Sequence, residues 1–117
     1  MSTAFFFQRI NDHIQYLRRI EKTLEGKGDF RGTPHTDCKL GLWLYGEGHA
    51  QVTALGSRAV EIFESVLEPH QRFHEASARA LARQDAGDRA GSERAISEML
   101  RLSVALINKL GSLDDFR

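Results

Sequence analysis

The sequence predicts an all-α protein: an antiparallel four-helix-type bundle of long helices, plus a short helix that carries the one cysteine. Three observations predict it. The 117 residues hold only two prolines and are rich in Ala, Leu, Arg and Glu, a helix-forming composition. Apolar residues recur at alternating steps of three and four along three long stretches, the period of one buried helix face. Between these stretches lie clusters of glycine, proline and aspartate, which punctuate helices rather than continue them.

The first helix is expected from about Thr3 to Glu25, with Phe6, Ile10, His13, Leu17, Ile20 and Leu24 on its buried face. Residues Gly26 to Asp37 then form a long connection, a length that in a compact domain points to function. Thr33 before Pro34 fits a helix start, cap followed by first-turn proline. The short helix beginning there carries His35, Cys38, Leu40, Leu42, Trp43 and Leu44 and stops at Gly46-Glu47-Gly48. A longer helical region follows from about His49 to Arg83, with Val52, Leu55, Ala59, Ile62, Val66, His70, His74, Ser77 and Leu81 on one face. Pro69 should kink or restart it, because proline removes an amide donor and crowds the preceding turn. Asp85-Ala86-Gly87-Asp88 is the next turn. The last helix, from about Arg89 to Leu110, buries Ala95, Met99, Leu102, Leu106 and Leu110 and ends at Gly111.

This length bounds the chain to one domain, residues 1–117, large enough for a core without disulfide staples. Basic and acidic residues balance, 16 against 16, so no basic excess argues for nucleic acid. No apolar run is long enough to span a bilayer. The N-terminal Met-Ser-Thr-Ala-Phe-Phe-Phe lacks the basic region and cleavage site of a signal peptide, so a cytoplasmic location is expected. A single cysteine excludes an intrachain disulfide and leaves inert core, metal ligand or reactive thiol as its roles.

The chemistry gathers at four positions. His70 and His74 are four apart on a helix, so their rings project from one face and can meet one ion. Zinc favours nitrogen and thiolate ligands in a tetrahedral set, usually four in a structural site. His13, in an apolar slot of the first helix, is the candidate third ligand, and Cys38 completes the set. Taken singly, each has a blander reading. A lone histidine on an apolar stripe is more often a hydrogen-bonded core residue, and a buried cysteine a small hydrophobe. Together, three buried histidines and a cysteine on converging elements need many partners, and one metal satisfies them jointly. His35, three residues before Cys38, is a reserve ligand. It and His49 lie in or beside loops and are expected to be solvated. Trp43 and Phe5-Phe6-Phe7 read as packing or interface residues, and Gly46-Glu47-Gly48 is too short for a phosphate loop.

The run Cys38-Lys39-Leu40-Gly41-Leu42-Trp43-Leu44-Tyr45-Gly46 resembles the Cys-x-Phe/Leu-Gly-x-Trp-Leu/Tyr signature of the chemoreceptor zinc-binding domain (CZB) family. A histidine precedes it in the first helix (His13), and Pro69-His70-x-x-x-His74 follows it. The resemblance implies a symmetric homodimer of helical bundles. It also implies a three-histidine, one-cysteine zinc site per protomer, here His13, Cys38, His70 and His74. Members of the family occur on chemoreceptors, on diguanylate cyclases and as free-standing domains, and are regarded as sensors of zinc and of oxidants such as hypochlorous acid. Leu40 stands where many members have phenylalanine, an apolar exchange that should leave the site undisturbed.

A four-ligand site leaves no position for a substrate water, so a sensor acting through a signalling partner is expected rather than an enzyme. Cys38 is then the redox-sensing ligand, since the other three are imidazoles. The alternative is a hemerythrin-like di-iron oxygen-binding bundle. That chemistry draws bridging carboxylates and histidines from all the long helices, and no histidine follows His74. A histidine phosphotransfer module would need its histidine exposed, whereas these sit on apolar stripes.

Overall fold

The computed structural model describes residues 4–116, with side chains from Phe6 onward. The proposed start at Thr3 and the packing role of Phe5 lie outside what is described. Three long helices dominate: α1 (Ala4–Leu24), α4 (Ser57–Asp85) and α5 (Arg89–Ser112). Two short ones, α2 (Lys39–Leu44) and α3 (Gly48–Thr53), lie between α1 and α4, and a 3₁₀ turn (Leu113–Phe116) closes the chain. Among the described residues there is no strand.

Helices α4 and α5 form the spine, an antiparallel hairpin that sets the 48 Å long dimension of the molecule. The turn between them is short, with Gly87 in the left-handed region (φ 76°) and Asp88 accepting the Gly91 amide at 2.9 Å to cap α5. Their facing stripes are those expected: Ala59, Val66 and Leu81 on α4, and Ala95, Met99, Leu102, Leu106 and Leu110 on α5, are all buried. Phe63 and Phe73, which the reading of the stripe omitted, are among the most buried side chains of α4. Across the outer edge Glu98 pairs with both Arg72 and Arg79. Helix α1 packs against α5, α2 and α4 through Phe6, His13, Tyr16 and Ile20. Trp43 joins the halves of the core. Its ring meets Phe6 and Phe63 edge-on, and its indole N–H donates to Gln51 Oε1 at 2.7 Å.

Several expected boundaries move. The three long helices stand where they are expected, and where one short helix is expected there are two, α2 and α3. The short helix does not start at Thr33-Pro34. Residues 35–38 make a turn, and Cys38 itself is the N-cap. Thr33 is engaged otherwise: its hydroxyl donates to the Pro34 carbonyl and its amide to the Tyr16 hydroxyl. The long region from His49 breaks at Gly56 (φ 107°), a conformation that closes α3 and starts α4. It does not restart at Pro69, through which α4 runs unbroken, because packing on α5 holds both flanks of the proline in place. Gly111 does not stop α5, which runs on through Ser112 into the 3₁₀ turn, with Leu113 fully buried against the core.

The connection from Gly26 to Asp37 is strapped down. Thr23 Oγ1 donates to the Phe30 carbonyl at 2.7 Å, Phe30 lies edge-on against Tyr16, and the Arg19 guanidinium covers its other side 3.8 Å from the ring centre. Arg31 pairs with Asp85 at the far end of α4. Gly32 (φ 92°) passes so close to Tyr16 that a Cβ there would sit 3.0 Å from the phenol oxygen. The strap thus delivers Thr33 to α1 and Cys38 to the face of α4 that carries the histidines.

Candidate metal centre

Helix α4 supplies His70 and His74, one turn apart, with ring centroids 4.8 Å from each other. Cys38 arrives from the N-terminus of α2, its Sγ 3.4 Å from His70 Nε2. Each of the three offers one ligand atom, and these atoms lie within 4.8 Å of one another. A tetrahedral zinc with nitrogen and sulfur ligands has edges of about 3.4 to 3.6 Å. The sulfur–nitrogen pair of Cys38 and His70 already stands at that spacing.

The sulfur is positioned by backbone. As N-cap it accepts the Gly41 amide at 3.2 Å. Gly41 is required for a second reason, because a Cβ there would run into the His35 carbonyl oxygen. The Cys-x-x-Gly spacing of the motif therefore does two things: it frees an amide for the thiol and lets α2 close on the preceding turn. Burial pushes the Cys38 thiol pKa up, against the lowering effect of the backbone amides, so an ion is what favours the thiolate here.

The rings are held neutral. Burial is the largest cause and neighbouring histidines add to it, against the raising effect of the Thr33 carbonyl at His74; His13 is pushed down to about 4, His70 to about 3 and His74 to about 4. A neutral imidazole is the form that ligates. For His74 the tautomer follows from its partners. Its Nδ1 lies 3.0 Å from the Thr33 carbonyl, which only accepts, so Nδ1 carries the proton and Nε2 keeps a free lone pair. The Tyr16 hydroxyl, 3.1 Å from the same nitrogen, accepts the Thr33 amide at 2.9 Å and locks the arrangement. His70 is buried with Nε2 against the thiol and Nδ1 without any hydrogen-bond partner. An ion between Nε2 and the thiol would engage the first nitrogen and leave Nδ1 as the protonated nitrogen of a ligating ring. The donor set therefore fits zinc.

The other two histidines lie beside this group. His13 is 3 % exposed, its Nε2 2.9 Å from Ser103 Oγ on α5 and its ring edge-on to Phe73. The structure brings it next to the cluster without joining it to the three clustered ligand atoms. His35, expected in solvent, is half-buried at the mouth of the cluster, while His49 is exposed as expected. Beside the thiol, a cleft of about 280 Å³ opens between α1 and the segment Thr33–Lys39, with Asp12, Tyr16 and Asp37 in its lining.

Tyr16, Thr33 and Ser103 were missed by sequence reasoning. Tyr16 had a signal, since it stands three residues after His13 on the same helix face and a buried phenol needs a partner. Thr33 and Ser103 had none, because their partners are 41 and 90 residues away.

A family model agrees with this geometry. The chemoreceptor zinc-binding domain model matches residues 13–81, more than half of the chain, from His13 through Cys38, His70 and His74. The chain belongs to that zinc-binding family. No curated protein and no solved structure matches it. The family binds zinc, and Cys38, His70 and His74 are the group in this chain whose ligand atoms lie close enough to hold a metal ion.

Proposed function

We propose that the chain is a regulatory zinc module in which Cys38, His70, His74 and His13 hold one ion and Cys38 reports on oxidants. One observation carries this reading: a thiol and two buried neutral imidazoles converge on one point, with the His74 tautomer set by the Thr33 carbonyl. His13 completes the set to four. In the tautomer that donates Nε2–H to Ser103, Nδ1 keeps a lone pair for the ion, and Ser103 is the outer contact usual for a ligating histidine. Bound zinc supplies charge that stabilises the Cys38 thiolate and ties α2 to α4.

The cleft beside Cys38 gives small oxidants a path to the sulfur. A thiolate attacking hypochlorous acid gives, after hydrolysis, sulfenic acid and chloride: one oxygen added to sulfur, two electrons passed to chlorine. With peroxide the leaving group is hydroxide. Met99 is fully buried and shielded from the same attack. The sulfenate is a poorer ligand, and its oxygen crowds the Gly41 amide, so α2 loosens. The signal in this reading is zinc availability, cysteine oxidation or both, passed in the cytoplasm from a homodimer to a protein of a bacterial pathway such as chemotaxis or cyclic-di-GMP control. The role is regulatory rather than catalytic.

The di-iron alternative is disfavoured by the ligand types. Among the described residues the convergent group contains sulfur and imidazole but no carboxylate, and α5 offers Ser103 where a di-iron bundle needs a histidine or carboxylate. Metal content of the protein purified without added metal tests the reading. About one zinc per chain is expected, with sharply weaker retention in Cys38→Ala. Two irons per chain, or full retention of zinc by Cys38→Ala, sinks it. Sub-stoichiometric oxidant on the zinc-loaded protein should modify Cys38 first, and preferential attack at Met99 would remove the redox half.

A further inference from the structure

The clustered ligands have a histidine on either side of the solvent boundary. His13, on the core side, is tied to Ser103. His35 stands at the surface in the turn before Cys38. Its ring is 6.1 Å from that of His70 and 6.4 Å from that of His74, centroid to centroid. Tyr45 backs it edge-on at 5.6 Å and also reaches the His70 ring at 6.5 Å. Among the described residues neither His35 ring nitrogen has a hydrogen-bond partner, and neither belongs to the group of mutually close ligand atoms. The ring therefore faces the cluster without a structural engagement of its own.

We propose that His35 is a transfer ligand: it takes zinc from an external chelator, hands it to the buried set, and receives it again on the way out, without being a resident ligand. The inference rests on the zinc reading above. A closed four-ligand site exchanges its ion slowly unless an entering ligand reaches the metal before a resident one has fully left. His35 is the imidazole in position to do so. Its backbone is pinned, because its carbonyl oxygen lies directly over Gly41 with no room for a Cβ between them. Its side chain is free, held only by ring contacts, and a rotation about χ1 sweeps its nitrogens through several ångströms, about the distance that separates it from the cluster. His70 and His74 lack this freedom, since they project from the middle of a packed helix. A fixed backbone with a mobile imidazole at the mouth is suited to passing an ion rather than keeping it.

The test uses the zinc-loaded full chain as wild type, His35→Ala and His13→Ala. Zinc stoichiometry, affinity by competition, and the rates of release to and loading from a chromophoric chelator are measured for each. In His35→Ala both rates should fall together by about tenfold while affinity stays at the wild-type value, as a barrier change without a ground-state change requires. Free imidazole added to His35→Ala should restore the rates, which a mere loss of packing would not allow. Unchanged rates, or no rescue, overturn the proposal. A loss of affinity as large as that in His13→Ala also overturns it, by making His35 a resident ligand. A wild type without zinc overturns the zinc reading and this inference with it, an outcome that the stoichiometry separates from the others.

Discussion

The α4–α5 hairpin and the segment from Gly26 to Gly56 are built on opposite principles. The hairpin is regular: apolar side chains at helical spacing fill its core, and its polar contacts, Glu98 with Arg72 and Arg79 and Ser92 with the Ala80 carbonyl, add to that packing. The segment contains only α2 and α3, of six residues each, and is held by a series of single polar and aromatic contacts: Thr23 on Phe30, Tyr16 on Thr33, Gly41 on Cys38, Trp43 on Gln51. Helices that short have little stability of their own. The site lies on the seam, with two histidines on the rigid partner and the cysteine on the fragile one. An ion bound there couples the two, so the segment's order is expected to depend on zinc and the hairpin's to do so far less.

The largest effect should come from the hairpin core. Leu106→Ala, at a fully buried position, is expected to cost about 2–5 kcal/mol of unfolding free energy. Denaturant titration with and without chelator should give nearly the same loss, and a loss that appears only with zinc would break the comparison.

Acid comes next. The folded values of His13, His70 and His74 lie below the ordinary 6.5, so the unfolded chain takes up protons first as the pH falls. Metal-free protein should be most stable above about pH 6.5 and lose stability steadily from there to about pH 4. Thermal unfolding across that range checks the slope, and His70→Leu should flatten it. A flat profile in the wild type would mean that the rings are already solvated.

Tyr16→Phe is a smaller change, confined to the seam. It removes the hydroxyl that accepts the Thr33 amide and touches His74 Nδ1, but leaves the Thr33 carbonyl in place. Zinc affinity should fall by about tenfold, the lower range for an outer partner of a ligand. Competition against a chelator of known affinity measures it. Asp88→Ala should have the smallest effect, about 1 kcal/mol, by uncapping α5 far from the site, with zinc affinity unchanged. A change in affinity there would show that the hairpin turn communicates with the metal centre.

Legibility in the sequence divides along the same seam. In α1 and α5 the apolar period gave element, face and most core residues, because a long amphipathic helix repeats its message every turn. In α4 the same period was right about the face but misplaced the interruption. Pro69 carries a strong local signal, yet the flanking packing outweighs one lost hydrogen bond, whereas Gly56 breaks the chain with a left-handed φ that no periodicity announces. Around the site, the i, i+4 pair His70 and His74 was readable from helix geometry and Cys38 from its motif. His13 was readable as a buried histidine, but not its bond to Ser103.

By itself, then, the sequence determined the helical class, the buried faces of the long helices, the absence of an intrachain disulfide and the candidate metal ligands. These follow from local chemistry and short-range period. Only the tertiary structure decided that Cys38 caps α2, that the Gly26–Asp37 connection is a strap carrying the Thr33 carbonyl to His74, and that His35 stands at the mouth of the cluster. Those facts depend on contacts between residues far apart in the chain, where a turn of a few dihedral angles decides which groups meet and no local pattern records the outcome.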